Sequence, residues 1–64
     1  MPIIYINFLE GRDEDKKRKL VEAVTKAVSE SIDTPIENVK IILSEMALAD
    51  YAIGGKLIKD IKNQ

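Results

Sequence analysis

Two apolar runs and one long stretch of helical periodicity organise this chain. Residues 3–9 are apolar at nearly every position, which predicts a strand whose two faces are both covered. From Asp13 to Ile32 the apolar side chains recur every three or four positions, the spacing of one amphipathic helix. Asp13 is a good N-cap, and Glu14 and Asp15 interact favourably with the dipole of the first turn. The apolar side of this helix comprises Leu20, Val21, Val24, Ala27, Val28 and Ile32.

A proline marks the end of the helix. The residue before Pro35 is disfavoured in the α region, so the helix is predicted to stop just ahead of it. Residues 34–37 also fit a capping box with the proline at the first helical position, which predicts one short turn. A second strand is then predicted from Val39 to about Glu45.

The order strand, helix, strand with short links predicts a β-α-β unit whose two strands run parallel. Parallel pairing brings the starts of both strands to the same edge of the sheet, so Pro2 and Lys40 are predicted to be neighbours. Arg12 follows the far end of the first strand, too distant from Pro2 to share a site within one chain. In an oligomer an adjacent subunit can supply Arg12.

The last part of the chain predicts a small C-terminal hairpin, which makes the fold class α+β. Residues 47–50 are interpreted as a connection and residues 51–53 as a short strand, and Gly54-Gly55 allows the positive φ angles of a tight turn. Tyr51 is interpreted either as a packing residue at a subunit contact or as the apolar wall of a pocket. A returning strand or turn finishes the chain with Leu57, Ile58 and Ile61.

Length and composition point to self-association. A chain of 64 residues is expected to form one domain, residues 1–64, and such a chain hides only about 60% of its unfolded surface when it folds alone. It contains no Cys and no His, so it lacks a disulfide framework, a thiolate metal site and the commonest metal ligand. Oligomerisation is the remaining usual means of enlarging the core of so small a scaffold.

The charge balance excludes two classes of partner. The net charge is −1, from 10 basic and 11 acidic residues, so no strong field attracts nucleic acid or an anionic membrane. Neither a targeting segment nor a membrane-spanning run is visible, from which we expect a cytoplasmic protein. The basic cluster at residues 16–19 is better interpreted as a solvated helix face than as an anion site, since acids flank it.

The amino terminus carries the candidate chemistry. If Met1 is removed, the nitrogen of Pro2 becomes a secondary amine at the start of an apolar strand. An α-amine has an ordinary pKa of roughly 7.7–8.0, and burial or a nearby cation lowers it, so such an amine is a general base at neutral pH. Arg12, after Gly11, is a candidate anion binder. Taken singly, Pro2 is more often structural and Arg12 more often a solvated loop residue.

Taken together, these features resemble the 4-oxalocrotonate tautomerase family over essentially the whole chain. The resemblance is carried by Pro2 opening the first strand, Leu-Glu-Gly-Arg at 9–12 closing it, Ile-Ile-Leu-Ser-Glu-Met at 41–46 and Tyr-Ala-Ile-Gly-Gly at 51–55. It implies a β-α-β monomer that dimerises into a four-stranded sheet and assembles further, commonly as a hexamer. It also implies an isomerase of aromatic compound catabolism that uses no metal or organic cofactor.

The resemblance assigns expected roles to four residues. Pro2 matches the catalytic base, and Arg12 matches the arginine that binds a substrate carboxylate. Tyr51 stands where a phenylalanine usually keeps the pocket apolar. Lys40 stands where the dienol isomerases of the family have arginine; lysine keeps the positive charge but loses the bidentate grip. A strand-edge lysine that discourages aggregation is the alternative interpretation of Lys40.

Three functions are consistent with these residues. The first is a cofactor-independent tautomerase of enol or dienol acids such as 2-hydroxymuconate. The second is a dehalogenase or hydratase of unsaturated acids on the same fold, for which no carboxylate that would activate water is clearly marked. The third is a non-enzymatic oligomeric binding module.

Overall fold

Residues 1–62 are described by the computed structural model, and they form four strands and two helices. In chain order the elements are strand β1 (Ile3–Leu9), helix α1 (Glu14–Ile32), strand β2 (Lys40–Met46), strands β3 (Ala52–Ile53) and β4 (Lys56–Leu57), and helix α2 (Ile58–Lys62). This is an α+β fold, as predicted. Neither helix in this part of the chain has the length and apolar composition required to span a bilayer.

The parallel pairing of β1 and β2 is confirmed. Their register runs from Ile3 opposite Lys40 to Leu9 opposite Met46. One backbone hydrogen bond extends the ladder at each end: the N–H of Lys40 donates to the carbonyl of Pro2 (3.1 Å), and the N–H of Glu10 donates to the carbonyl of Met46 (2.8 Å). The two strands therefore start and end together, and each end of the sheet has its own set of loops.

Helix α1 begins as its sequence predicts. The carboxylate of Asp13 accepts a hydrogen bond from the N–H of Lys16 (2.9 Å), which satisfies one of the free amides of the first turn. The end of the helix is set by Asp33, which adopts the left-handed conformation with φ 53° and donates its N–H to the carbonyl of Ser29. The last residue of the helix, Ile32, therefore lies three residues before Pro35.

The predicted capping box at residues 34–37 is wrong. The turn that follows α1 is a single 3-10 turn, Ile36–Asn38, and the residue preceding it is Pro35, with no side-chain cap. Thr34 is instead hydrogen-bonded to the end of α1. Its N–H donates to the carbonyl of Ser29, and its carbonyl accepts from the Ser29 hydroxyl. Because Pro35 occupies the N-cap position of the turn, Thr34 lies one residue too early to cap it.

The buried side of α1 is narrower than its apolar pattern predicts. Leu20, Val21, Val24 and Val28 are half-buried, whereas Ala27 and Ile32 are exposed. At 100° per residue Ala27 lies at the flank of the stripe, and Ile32 is the last residue of the helix. The two-stranded sheet is too small to cover either of them.

The β1–β2 sheet is apolar on two faces and covered on one. Alternate residues such as Ile4, Ile6, Ile41 and Leu43 are half-buried on the face towards α1. On the other face, which we call the open face, Ile3, Tyr5 and Ile42 are 52%, 67% and 45% exposed. This is the arrangement expected of a sheet that a second chain must cover.

The chain alone does not build a closed core. In residues 1–61 only Ile58 counts as buried. The radius of gyration is 15.1 Å, against about 11 Å for a compact chain of this length. The accessible surface of 5012 Å² likewise exceeds the roughly 4,100 Å² of a folded monomer of this mass.

The C-terminal part matches the predicted hairpin and adds a helix. β3 and β4 pair antiparallel through Gly54 and Gly55, whose φ angles of 59° and 85° favour glycine. The predicted returning strand is present as β4, but it has only two residues, and Ile58 and Ile61 belong to the five-residue helix α2 that follows it. Five residues are too few to show a helical period, and the helix instead depends on contacts with residues 48–51. Its first N–H, from Ile58, donates to the carbonyl of Tyr51 (2.8 Å).

Candidate functional site

The first half of the candidate site lies where β1 and β2 start. Pro2 and Lys40 are neighbours there, as predicted, because the Lys40 N–H donates to the Pro2 carbonyl and Lys40 pairs with Ile3 in the ladder. Pro2 is half-buried and Lys40 is exposed. The parallel register thus brings the nitrogen of residue 2 and one cation to the same edge of the sheet.

The second half of the site lies at the opposite end of β1. Gly11 takes φ 121°, which turns the chain so that Arg12 folds back over the strand end. One guanidinium nitrogen of Arg12, Nη1, donates to the carbonyl of Leu9 (3.1 Å), and the guanidinium carbon lies 5.8 Å from the centroid of the Phe8 ring. These contacts hold the planar group at the surface, in a geometry suited to a carboxylate.

One chain cannot bring the two halves together. Pro2 and Leu9 are separated by the length of β1, and at about 3.3 Å per residue this separation is roughly 23 Å. That span exceeds the reach of a small-molecule substrate. Pro2 and Arg12 can act on one molecule only if they come from different chains.

Tyr51 belongs to the Arg12 end of the sheet. β2 ends there at Met46, and the chain continues through a 3-10 turn, Leu48–Asp50, to Tyr51. The ring is 41% exposed, so within one chain it is only partly covered. Its backbone carbonyl accepts the N–H of Ile58, so the position of Tyr51 is fixed from α2.

A carboxylate that no sequence motif marks as functional, that of Glu10, also lies at this end of the sheet. Glu10 Oε2 accepts a hydrogen bond from the N–H of Leu48 (3.2 Å), 38 positions along the chain. A cleft lies at this contact, lined by Glu10, Ala47, Leu48, Ala49 and Lys59. The only sequence signal was the position of Glu10 directly before the Gly11 turn, and its partner is a backbone group that no residue pattern reveals.

Two of the four basic residues at positions 16–19 of α1, Lys17 and Arg18, are paired with acids. Lys17 Nζ lies 2.5 Å from Glu45 Oε1, a contact that joins the helix to β2. Arg18 contacts Glu14 (3.1 Å) and Asp15 (2.7 Å) at the helix surface. The structure therefore favours an ion-paired helix face over an anion site, in agreement with the sequence-based interpretation.

A further question about the described residues is whether their side chains could together bind a metal ion. Within residues 1–62 no group of three or more His, Cys, Asp or Glu side chains converges as a metal site requires.

Comparison with known proteins gives a consistent result. Residues 2–61 match the family model described as tautomerase enzyme. The chain is 48% identical over 61 residues to a probable tautomerase of Listeria monocytogenes, covering 95% of this chain and 100% of the relative. It is 40% identical over 62 residues to 2-hydroxymuconate tautomerase of Pseudomonas putida, covering 97% and 98%. Its structure matches the heterohexameric 4-oxalocrotonate tautomerase of Chloroflexus aurantiacus with a TM-score of 0.90, at 28% identity and over 95% and 98% of the two chains.

Proposed function

Because the chain belongs to the 4-oxalocrotonate tautomerase family, we propose that it is a cofactor-independent isomerase that converts enol or dienol acids such as 2-hydroxymuconate to the conjugated keto form. We place this activity in the cytoplasm, in the catabolism of aromatic compounds. The observation that carries the proposal is that Pro2 and Lys40 lie side by side at the end of the sheet where β1 and β2 start, joined by a backbone hydrogen bond.

Pro2 is the proposed general base, which requires removal of Met1. With Met1 attached the Pro2 nitrogen is an amide and has no basic lone pair. Once free, the amine takes the proton from the 2-hydroxyl of the dienol. The electron pair of the broken O–H bond forms the ketone, and the first double bond shifts one position along. The second double bond opens, and its electron pair binds the proton that Pro2 returns to the far carbon. The base is thereby restored, so no external proton source is consumed.

Two cations are proposed to bind and polarise the substrate. Lys40, next to Pro2, stabilises the negative charge that develops on the enolate oxygen and disfavours protonation of the Pro2 amine. Arg12 binds a substrate carboxylate with its planar fork. Tyr51 forms an apolar wall that excludes water from the reacting atoms.

The active site is proposed to be shared between chains. The separation of about 23 Å between Pro2 and the Arg12 end supports this, because each chain then contributes one half of a site. The open face and the missing core support self-association, and the related Chloroflexus protein is a heterohexamer. We propose dimers with a four-stranded sheet, further assembled as a homohexamer.

The proposal is tested by an intact-mass measurement paired with a pH–rate profile for ketonisation of 2-hydroxymuconate. The expected result is a mass without methionine and a rate that rises with pH through an ionisation below the roughly 7.7–8.0 of an ordinary α-amine. The matched control carries one extra alanine between Met1 and Pro2, which turns the Pro2 nitrogen into an amide. Loss of general-base catalysis should then lower kcat by about 10²- to 10⁴-fold.

Two outcomes contradict the proposal. If the methionine-free protein turns over neither 2-hydroxymuconate nor simpler enol acids, the oligomeric binding module becomes the better interpretation. If the alanine-extended control is as active as the trimmed protein, the reaction does not use the Pro2 amine.

A further inference from the structure

We propose that Glu10 is a positioning residue of the substrate site, which holds the turn bearing Tyr51 against the strand end bearing Arg12. The inference rests on the proposed function, in which Arg12 and Tyr51 belong to one half of the site. Glu10 itself is assigned no contact with substrate.

The contacts of Glu10 join the two segments directly. Its backbone N–H donates to the carbonyl of Met46 (2.8 Å), which fixes Glu10 one residue beyond β1. Its side chain then accepts the N–H of Leu48 (3.2 Å), the first residue of the 3-10 turn. The residue before that turn, Ala47, has no side chain able to cap it. The carboxylate of Glu10 thus supplies from another strand the cap that the local sequence lacks.

Tyr51 is held at the other end of the same turn. It directly follows Leu48–Asp50, and its carbonyl accepts the N–H of Ile58, whose side chain is 8% exposed. Releasing Leu48 from Glu10 therefore frees the start of the turn while its end stays anchored to α2. The expected consequence is a change in the position of the Tyr51 ring relative to Arg12, rather than a loss of fold.

This geometry predicts an effect on binding rather than on proton transfer. Glu10 precedes by two residues the cation proposed to bind the substrate carboxylate, and its own carboxylate is occupied by the N–H of Leu48. Loosening the substrate-binding half raises KM, because binding contacts are lost in the ground state and the transition state alike. The kcat value and the pH dependence set by Pro2 are expected to stay unchanged.

The test compares Glu10→Ala, Glu10→Gln and the surface control Glu30→Ala in the assembled enzyme. Glutamine keeps a side-chain oxygen that can accept from Leu48, and Glu30 lies on the exposed side of α1. Kinetics of 2-hydroxymuconate ketonisation are measured together with amide hydrogen exchange at Leu48. For Glu10→Ala, KM is expected to rise about 3- to 10-fold, the effect of losing one exposed hydrogen bond to a charged group, with faster exchange at Leu48. Glu10→Gln should have a KM and an exchange rate at Leu48 close to those of the wild type, and Glu30→Ala should match the wild type in both quantities.

Each other outcome overturns the inference in a recognisable way. Unchanged KM in Glu10→Ala, with an active wild type, removes the positioning role and leaves the proposed function intact. A fall in kcat with a shifted pH profile makes Glu10 a participant in proton transfer. Failure of the wild type itself to turn over enol acids overturns the proposed function, and this inference with it.

Discussion

The exposed apolar side chains of the open face predict that a second chain covers this face in the assembly. The substitution Ile42→Lys tests this prediction quantitatively. Ile42 lies at the middle of β2, opposite Tyr5, and 45% of it remains exposed in the single chain. If a second chain covers this face, the substitution places an ammonium group in the contact. If no chain covers it, the lysine remains in water at little cost.

The magnitude follows from two contributions. Full burial of an isoleucine side chain contributes about 1.5–3 kcal/mol, so covering the exposed 45% contributes about 0.7–1.4 kcal/mol per chain. Burying an unpaired ammonium adds an effective penalty of several kcal/mol per ion. The association free energy should therefore weaken by about 4 kcal/mol per chain, or roughly a thousandfold in the equilibrium constant.

The assay is sedimentation or light scattering across a range of protein concentrations, with activity measured on the same samples. The wild type is expected near six times the 7.2 kDa of one chain, and Ile42→Lys in smaller species. Activity should fall with the assembly, since the proposed active site needs two chains. The matched control Glu30→Lys places the same side chain on the exposed side of α1 and should leave the assembly unchanged. An Ile42→Lys protein that keeps the assembly mass and the reaction rate of the wild type would refute the prediction that a second chain covers the open face.

Three further predictions concern single contacts. Lys40→Arg should lower KM for 2-hydroxymuconate about 3- to 10-fold in steady-state kinetics, because the guanidinium fork binds two oxygens; an unchanged or higher KM would count against a site role for Lys40. Asp33→Gly should raise the free energy of unfolding by about 0.5–1 kcal/mol in urea at fixed protein concentration, since glycine adopts φ 53° without strain, and a loss of stability would contradict this. A double-mutant cycle of Lys17→Met and Glu45→Gln should give a coupling of about 0.5–1 kcal/mol that decreases with added salt, whereas zero coupling would mean that the 2.5 Å contact adds nothing.

The elements with a repeating pattern were predictable from the sequence. Strand β1 and the N-cap at Asp13 agree with the structure, and β2 runs one residue later at each end than predicted. In each case a local pattern determines the element: apolar runs for the strands, and a cap followed by a period of three to four for the helix. Parallel pairing then fixed that Pro2 and Lys40 share one end of the sheet and that Arg12 lies at the other.

The features that escaped prediction depend on contacts between distant residues. Helix α2 has five residues, and its first amide is bound by Tyr51. The sequence pattern places Thr34 at the start of the next turn, but its backbone N–H and carbonyl both bond to Ser29 at the end of α1. The link from Glu10 to Leu48 spans 38 positions and ends on a backbone amide, so no side-chain pattern marks it.

The claim that each active site takes Pro2 from one chain and Arg12 from another is tested most directly by mixing subunits. One parent carries the extra alanine before Pro2, the other carries Arg12→Ala, and the two are unfolded and reassembled together in equal amounts. If the halves come from different chains, random mixing should restore about one quarter of the sites, and activity should rise to about a quarter of the wild-type value. Activity that stays at the average of the two separate parents would mean that each site is built within one chain, which contradicts a site shared between chains.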